Sequence, residues 1–289
     1  NTPFTVVAKT VGAVVPEDVQ IVYNDETYVL NQTQLGVFEY TFTRPKSALD
    51  FKLVANEVVS KPYRLEVSPT PVLLSFDMYL DYPAYTGKSD ESITNNGNAT
   101  LPEGTILKWD LLTKSTDSVA FAYKDTLAFF EKNQHNFQYS KRIFESLNYT
   151  IQTSNVHLKN YEQLSFAITS VRDQPPTIKV EMKQDSTLHK SLYFYGQISD
   201  DYGISALKLH YYPVGDSAKR SELLLPSNTT AFQEFTHAFP SNLKLIEDTG
   251  YALYFEVSDN DPFHNFKTTR SRVFNYNSKS ENTIQDLQL

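Results

Sequence analysis

The chain has no cysteine, which excludes disulfide scaffolds, thiolate-held zinc, iron–sulfur clusters and thiol nucleophiles together. That absence says little about compartment. Glycine is scarce, nine residues in 289, so phosphate-cradling loops have little to be built from. No stretch approaches the roughly 20 apolar residues that cross a bilayer as a helix. The longest weakly polar run, Val11-Gly12-Ala13-Val14-Val15, closes at Pro16. A leader pattern of basic residues, apolar run and small-residue cleavage site is missing after Asn1. The six histidines include no pair at i, i+4, and no His-Glu-x-x-His, Gly-x-Ser-x-Gly, phosphate loop or dinucleotide fingerprint occurs. The net charge is −8 and the basic residues are scattered, so the footprint of a nucleic-acid binder is lacking.

What is present is a core-forming composition. Hydrophobic residues make up 40% and charged residues 21%, which removes the disordered class. A length of 289 residues predicts two or three domains. Nineteen Tyr and nineteen Phe beside one Trp favour strands. Period-two alternation dominates, and no long window supports an amphipathic helix. Leu107, Trp109 and Leu111 fall on one face with Lys108 and Asp110 on the other. Likewise Leu207, Leu209 and Tyr211 point inward against Lys208 and His210, and Tyr251, Leu253, Phe255 and Val257 against Glu256. Residues 19–23, the pair Asn24-Asp25 and residues 26–30 read as a hairpin with a two-residue turn.

The chain also repeats. An aromatic-led strand and an asparagine turn end each unit, and Asn56, Asn155 and Asn260 recur at intervals of 99 and 105 residues. Proline-marked junctions follow the first two, Ser68-Pro69-Thr70-Pro71 and Asp173-Gln174-Pro175-Pro176. The predicted fold class is all-β: three tandem immunoglobulin/fibronectin-III-like β-sandwich domains forming an elongated rod. Their bounds are 1–68 (short or lacking an edge strand), 69–172 and 173–276, with a polar tail at 277–289 that begins a helix near 283. Strand-like residues start almost at once, at Phe4, so the chain reads as a soluble segment of something longer.

Several stretches carry a family resemblance: Tyr82-Pro83-Ala84-Tyr85-Thr86-Gly87, Leu101-Pro102-Glu103-Gly104-Thr105 leading to Trp109, Ser199-Asp200-Asp201-Tyr202-Gly203-Ile204, and Ser258-Asp259-Asn260-Asp261. In these the chain resembles a domain of unknown function found in large, uncharacterised bacterial envelope proteins. The resemblance covers residues 1 to about 276 and implies amino-terminal membrane helices and a run of Ig-like domains in the whole protein. It implies no activity. One departure is Pro262-Phe263-His264-Asn265, where the family pattern leads one to expect a glycine-containing turn.

One constellation stands out. In a sandwich of this kind the loops after the second and sixth strands share an end with the incoming linker. Asp173, Asp200, Asp201, Asp259, Asn260 and Asp261 would then gather at the head of the third unit. Six oxygen ligands suit calcium. The same residues are also ordinary turn formers, chosen for local hydrogen bonds, and both readings stand at this point. Unit two has only Ser154-Asn155 in the matching turn. Tyr79, Tyr82 and Tyr85 form a second candidate, either a sugar-stacking platform or edge packing. Asn-x-Thr triplets at Asn31, Asn98, Asn148 and Asn228 match the chance expectation of an Asn- and Thr-rich chain.

The sequence therefore reads as a non-enzymatic, extracytoplasmic segment of a membrane-anchored bacterial envelope protein, in the periplasm or on the cell surface. It would act as a spacer or as an interaction module for an envelope protein partner, with no cofactor. The alternatives are a calcium-rigidified, cadherin-like adhesion module and a carbohydrate-binding module.

Overall fold

The structure is a computed structural model, and it describes residues 3–184 and 191–277. The helix start expected near 283 lies outside the described residues. Within them every regular element is a strand apart from three single-turn 3-10 helices, Ala84–Thr86, Ser217–Lys219 and Pro262–His264. The chain divides into two compact units, residues 1–71 with 155–159 and residues 72–154 with 160–289.

In the first unit, strands Phe4–Lys9, Val37–Phe42 and Asn31–Gln34 make one sheet. A second sheet runs in the order Glu26–Val29, Gln20–Tyr23, Leu49–Ala55, Val58–Val59, with Tyr63–Leu65 also pairing Leu49–Ala55. Val19, Ile21, Leu30, Phe38, Phe42, Phe51 and Leu65 fill the space between them. The expected hairpin is present, with Tyr23 opposite Glu26. Its turn residues Asn24 and Asp25 have φ of 51° and 62°, the left-handed pair that fits the twist of two adjoining strands. Only Gly holds that conformation free of a Cβ clash, so Asp25→Gly is expected to raise the stability of this unit by roughly 0.5 kcal/mol. Thermal melting of the variant chain checks it.

The second unit holds two hydrophobic clusters. Around the first, Val72–Asp81, Glu91–Thr94, Ile106–Lys114, Asn136–Arg142 and Glu131–Asn133 form one five-stranded sheet. Ala99–Pro102, Glu162–Val171, Leu147–Ser154, Ser118–Tyr123 and Thr126–Phe129 form the facing one, with Ala99–Pro102 running parallel to Glu162–Val171. Leu107, Trp109 and Leu111 are buried while Lys108 is exposed, as their alternation predicts.

Around the other cluster, Thr177–Gln184, Leu192–Ser199 and Phe232–Phe239 pack on a sheet ordered Ser221–Leu225, Ile204–Pro213, Gly250–Asp259, Thr268–Arg270. Phe274–Asn277 continues alongside Gly250–Asp259. Counted along the chain, the first, second and fifth strands face the fourth, third, sixth and seventh. That is the order of an immunoglobulin/fibronectin-III-like sandwich.

One expectation needs correction here. His210 is buried instead of facing water: its ring stacks on Tyr254 at 4.9 Å, and Nε2 lies 3.3 Å from Glu256 Oε1. Tyr254 and Ala252 are buried as well, so the central strand Gly250–Asp259 is covered on both faces. The cause is the aromatic and guanidinium cover of the outer face, where Arg270 lies over the Tyr254 ring.

Candidate functional site

Asp173 lies between strands Glu162–Val171 and Thr177–Gln184, and Asp259 is the last residue of Gly250–Asp259. Asp261 begins the single turn Pro262–His264, and its Oδ1 accepts the Phe263 N–H at 2.8 Å. No glycine serves this turn. Asn265 and Phe266 take φ of 57° and 55° instead, and the Phe266 N–H closes the loop onto the Asp261 carbonyl at 2.9 Å. The turn thereby returns the chain so that Lys267 faces Asp259, whose N–H donates to the Lys267 carbonyl at 3.0 Å.

Lys267 occupies the centre of the cluster. Its Nζ donates directly to Asp173 Oδ2 and to Asp261 Oδ2 at 3.0 Å, and stands 3.7 Å from Asp259 Oδ2. All three carboxylates have 0% side-chain exposure. Burial opposes the charge on Lys267, yet the bonds from Asp173 and Asp261 outweigh it and raise the ammonium pKa. Burial and the neighbouring Asp173 push Asp259 up to about 6. Burial also raises Asp261, but bonds from His264 and Lys267 hold it below the usual carboxylate range.

Of the six predicted oxygen ligands, the structure brings together Asp173, Asp259 and Asp261. The other three are used elsewhere. Asp200 Oδ2 accepts the N–H groups of Tyr202 and Gly203 at 3.0 and 2.8 Å, a local turn bond. Asp201 is exposed and takes the Gln174 N–H at 3.4 Å. Asn260 Nδ2 donates to the Tyr85 carbonyl at 2.9 Å. An ammonium therefore stands among the three gathered aspartates, where the calcium reading places a divalent ion.

Sequence reasoning missed Lys267, Glu103, His264 and the rings around them. Hairpin register was the available signal, because Ser258 pairs with Thr268 and so sets Asp259 opposite Lys267. Glu103 lay in the Leu101–Thr105 stretch without any local sign of its partner. Its Oε1 accepts the Asp173 N–H at 2.9 Å. Tyr85 meets Tyr202 at 5.5 Å and Phe263 at 6.1 Å, edge to face. Phe263 also packs on Phe144 and lies under the Arg142 guanidinium. Gly104, at φ 85°, is where this ring seats: a Cβ there would stand 2.5 Å from Phe263. The three tyrosines of the sugar-platform reading do not share a surface. Tyr82 is buried, Tyr85 belongs to this cluster, and Tyr79 alone is exposed, at 45%.

Strand content and sheet order define an all-β protein of immunoglobulin/fibronectin-III-like sandwiches. Solved structures with which it aligns include a marsupial T cell receptor, at 9% identity, 97% coverage of this chain, 96% of that one and a TM-score of 0.38. The chicken CNTN1 FN1-FN3 domains align at 13% identity over 96% of each chain, with a TM-score of 0.24. The fibronectin(III)-like modules of Clostridium thermocellum CbhA align at 14% identity, covering 64% of this chain and 91% of that one, with a TM-score of 0.25. No curated protein matches. The chain belongs to the family described as Domain of unknown function (DUF4175), whose model matches residues 55–237, more than half its length.

Proposed function

We propose that this segment is a non-catalytic spacer and protein-interaction module of a membrane-anchored bacterial envelope protein, placed outside the cytoplasm. Its three hydrophobic clusters correspond in this reading to three domains, 1–68, 69–172 and 173–276. The observation that carries the proposal is the packing at the head of the third sandwich. There Asn260, Tyr202 and Phe263 meet Tyr85, Phe263 packs on Phe144, and Glu103 accepts the Asp173 N–H, while Lys267 ties the linker residue Asp173 to Asp261 of the third sandwich. Side chains committed to one another in this way hold two modules at a fixed angle, which is what a spacer requires. Sandwich faces and loops are then left for a partner protein.

Gly104→Ala tests the joint without altering a charge. The added methyl meets Phe263 and imposes a side chain at φ 85°, which is expected to cost about 1–3 kcal/mol. Amide exchange at residues 84–87 and 262–266 should quicken while the buried strands of both sandwiches keep their protection. If these amides already exchange at loop rates in the unaltered chain, the joint is not fixed and the spacer reading fails.

A further inference from the structure

Asp173 precedes the first strand of the third sandwich and Lys267 precedes Thr268–Arg270, 94 residues later, yet the two side chains are in direct contact. The Asp173 side chain has no exposed surface, and that of Lys267 is 21% exposed. The Asp173 carboxyl is also hydrogen-bonded to that of Asp259, which is equally enclosed. Ionised carboxylates only accept hydrogen bonds, so a bond between two of them requires one to carry a proton. Burial and the neighbouring Asp173 make Asp259 the proton holder, with its pKa pushed up to about 6. Asp259 Oδ2 in turn lies 3.7 Å from Lys267 Nζ. Amine, carboxyl and acid thus meet in one buried place.

These are the parts of an amide condensation: a nucleophile, an electrophilic carboxyl carbon and a neighbouring acid that moves protons. Contact within the folded chain supplies the effective concentration that free groups in water lack. Burial acts in the same direction, because it disfavours the charged pair relative to the neutral amine and acid that react. Although burial opposes it, the ammonium is the prevailing form, held by bonds from Asp173 and Asp261. The step is therefore slow and passes through the small neutral fraction. Burial raises Asp261 too, but bonds from His264 and Lys267 hold it low, and its Oδ1 takes the Phe263 N–H at 2.8 Å. Of the two carboxylates bonded to Nζ, Asp173 is thus the one open to attack, since the proton it needs sits on Asp259.

We propose that Lys267 and Asp173 join in an intramolecular isopeptide bond, formed once by the folded chain itself, with Asp259 relaying the protons. Nζ bonds to Asp173 Cγ, and one Asp173 oxygen leaves with two protons from the ammonium as water. Asp259 gives its proton to the departing oxygen and regains one from the attacking nitrogen, so it ends as it began. No oxidant or cofactor is needed. The new N–H faces Asp261 Oδ2, 3.0 Å from the nitrogen, and the new carbonyl faces the Asp259 acid, so the buried amide has partners for both its groups. Until the bond forms, Lys267 acts as an ion-paired ammonium. Once formed, it ties the entrance of the third sandwich to its strand Thr268–Arg270, and tension along the chain bypasses the strands between. The bond deepens the spacer reading, which does not itself require it.

The test is the intact mass of the full, folded chain after a day at neutral pH. The chain should be lighter than its sequence mass by one water molecule. Trypsin should then release residues 173–179 joined to residues 245–270 through an uncleaved Lys267. Lys267→Arg, which keeps the positive charge, and Asp173→Ala should both retain the full mass. Asp259→Asn and Asp259→Ala keep nucleophile and electrophile but should be isolated largely unbonded, with far-ultraviolet dichroism as the folding control. The unaltered chain should also melt several degrees above Lys267→Arg, because the bond closes a long loop in the unfolded state. A folded, unaltered chain of full mass, a water loss that survives Lys267→Arg, or a water loss confined to residues 245–270, which would mark a link to Asp261, would each overturn the bond. Equal bonding in both Asp259 variants would overturn the relay. Slow amide exchange at the joint in a chain of full mass would reject the bond and keep the spacer reading.

Discussion

Replacing Trp109 by alanine is expected to destabilise the chain by roughly 3–5 kcal/mol, the range for removing a large aromatic from a packed core. The residue is 1% exposed in strand Ile106–Lys114. Its ring stacks on Tyr139 at 5.8 Å and meets Phe121 and Tyr149 at 5.1 and 5.5 Å. Its indole N–H donates to the Tyr149 hydroxyl at 3.0 Å, which in turn donates to the Gly97 carbonyl at 2.8 Å. Alanine thus leaves both a cavity and a hydroxyl deprived of its donor. Denaturant melting should show the loss, and Trp109→Phe should recover part of it by refilling the cavity without restoring the bond. Because Trp109 is the only tryptophan, native emission at the wavelength of fully hydrated indole would contradict its burial.

Lys267→Met is the second large effect. Methionine keeps much of the side-chain volume but strips the ammonium from three wholly buried carboxylates, and removing one partner of a buried ion pair typically costs about 3–5 kcal/mol. The pH dependence separates this from simple loss of packing. In the unaltered chain Asp259 already has its folded pKa raised to about 6, above an unfolded carboxylate near 3.9. A raised carboxylate pKa means that the folded state holds the proton more tightly, so its contribution falls as pH rises between about 4 and 6. Asp261, held low by His264 and Lys267, acts in the opposite sense and loses its contribution as the solution turns acid. Without Lys267 both carboxylates move upward, and the deficit should shrink as pH falls from 7 toward 4.5. A deficit that is independent of pH, or below about 1 kcal/mol, would show that the ion pairs carry little of the joint's stability.

Trp109 and Lys267 also mark what was legible in the sequence. Trp109 could be placed because its neighbours alternate strictly, and burial on one face of a strand follows from period two alone. The Asn24-Asp25 turn was readable for a similar reason, since two residues between two apolar runs admit few backbone solutions. Asp173, Asp259 and Asp261 were placed at one end by topology. What topology lacks is the side chain that arrives from the other direction. Lys267 lies 94 residues from Asp173 and reads locally as one more exposed cation after a turn. His210 was misplaced for an equivalent reason: its strand position says outer face, but Tyr254 covers that face. Alternation reports which side a residue takes, and only the neighbouring strands decide whether water reaches it.

The bond between Asn260 and the Tyr85 carbonyl spans 175 residues. At typical rates of synthesis, the later partner emerges on the order of ten seconds or more after the earlier one. Through that interval the Tyr85 ring, the Gly104 seat and the buried Glu103 carboxylate have nothing to close over them. The completed first sandwich of this unit therefore waits with a wet, charged rim, a surface unfavourable to premature hydrophobic association. Closure comes only when Lys267 arrives, so the finished joint registers that the chain has been made and folded past that residue.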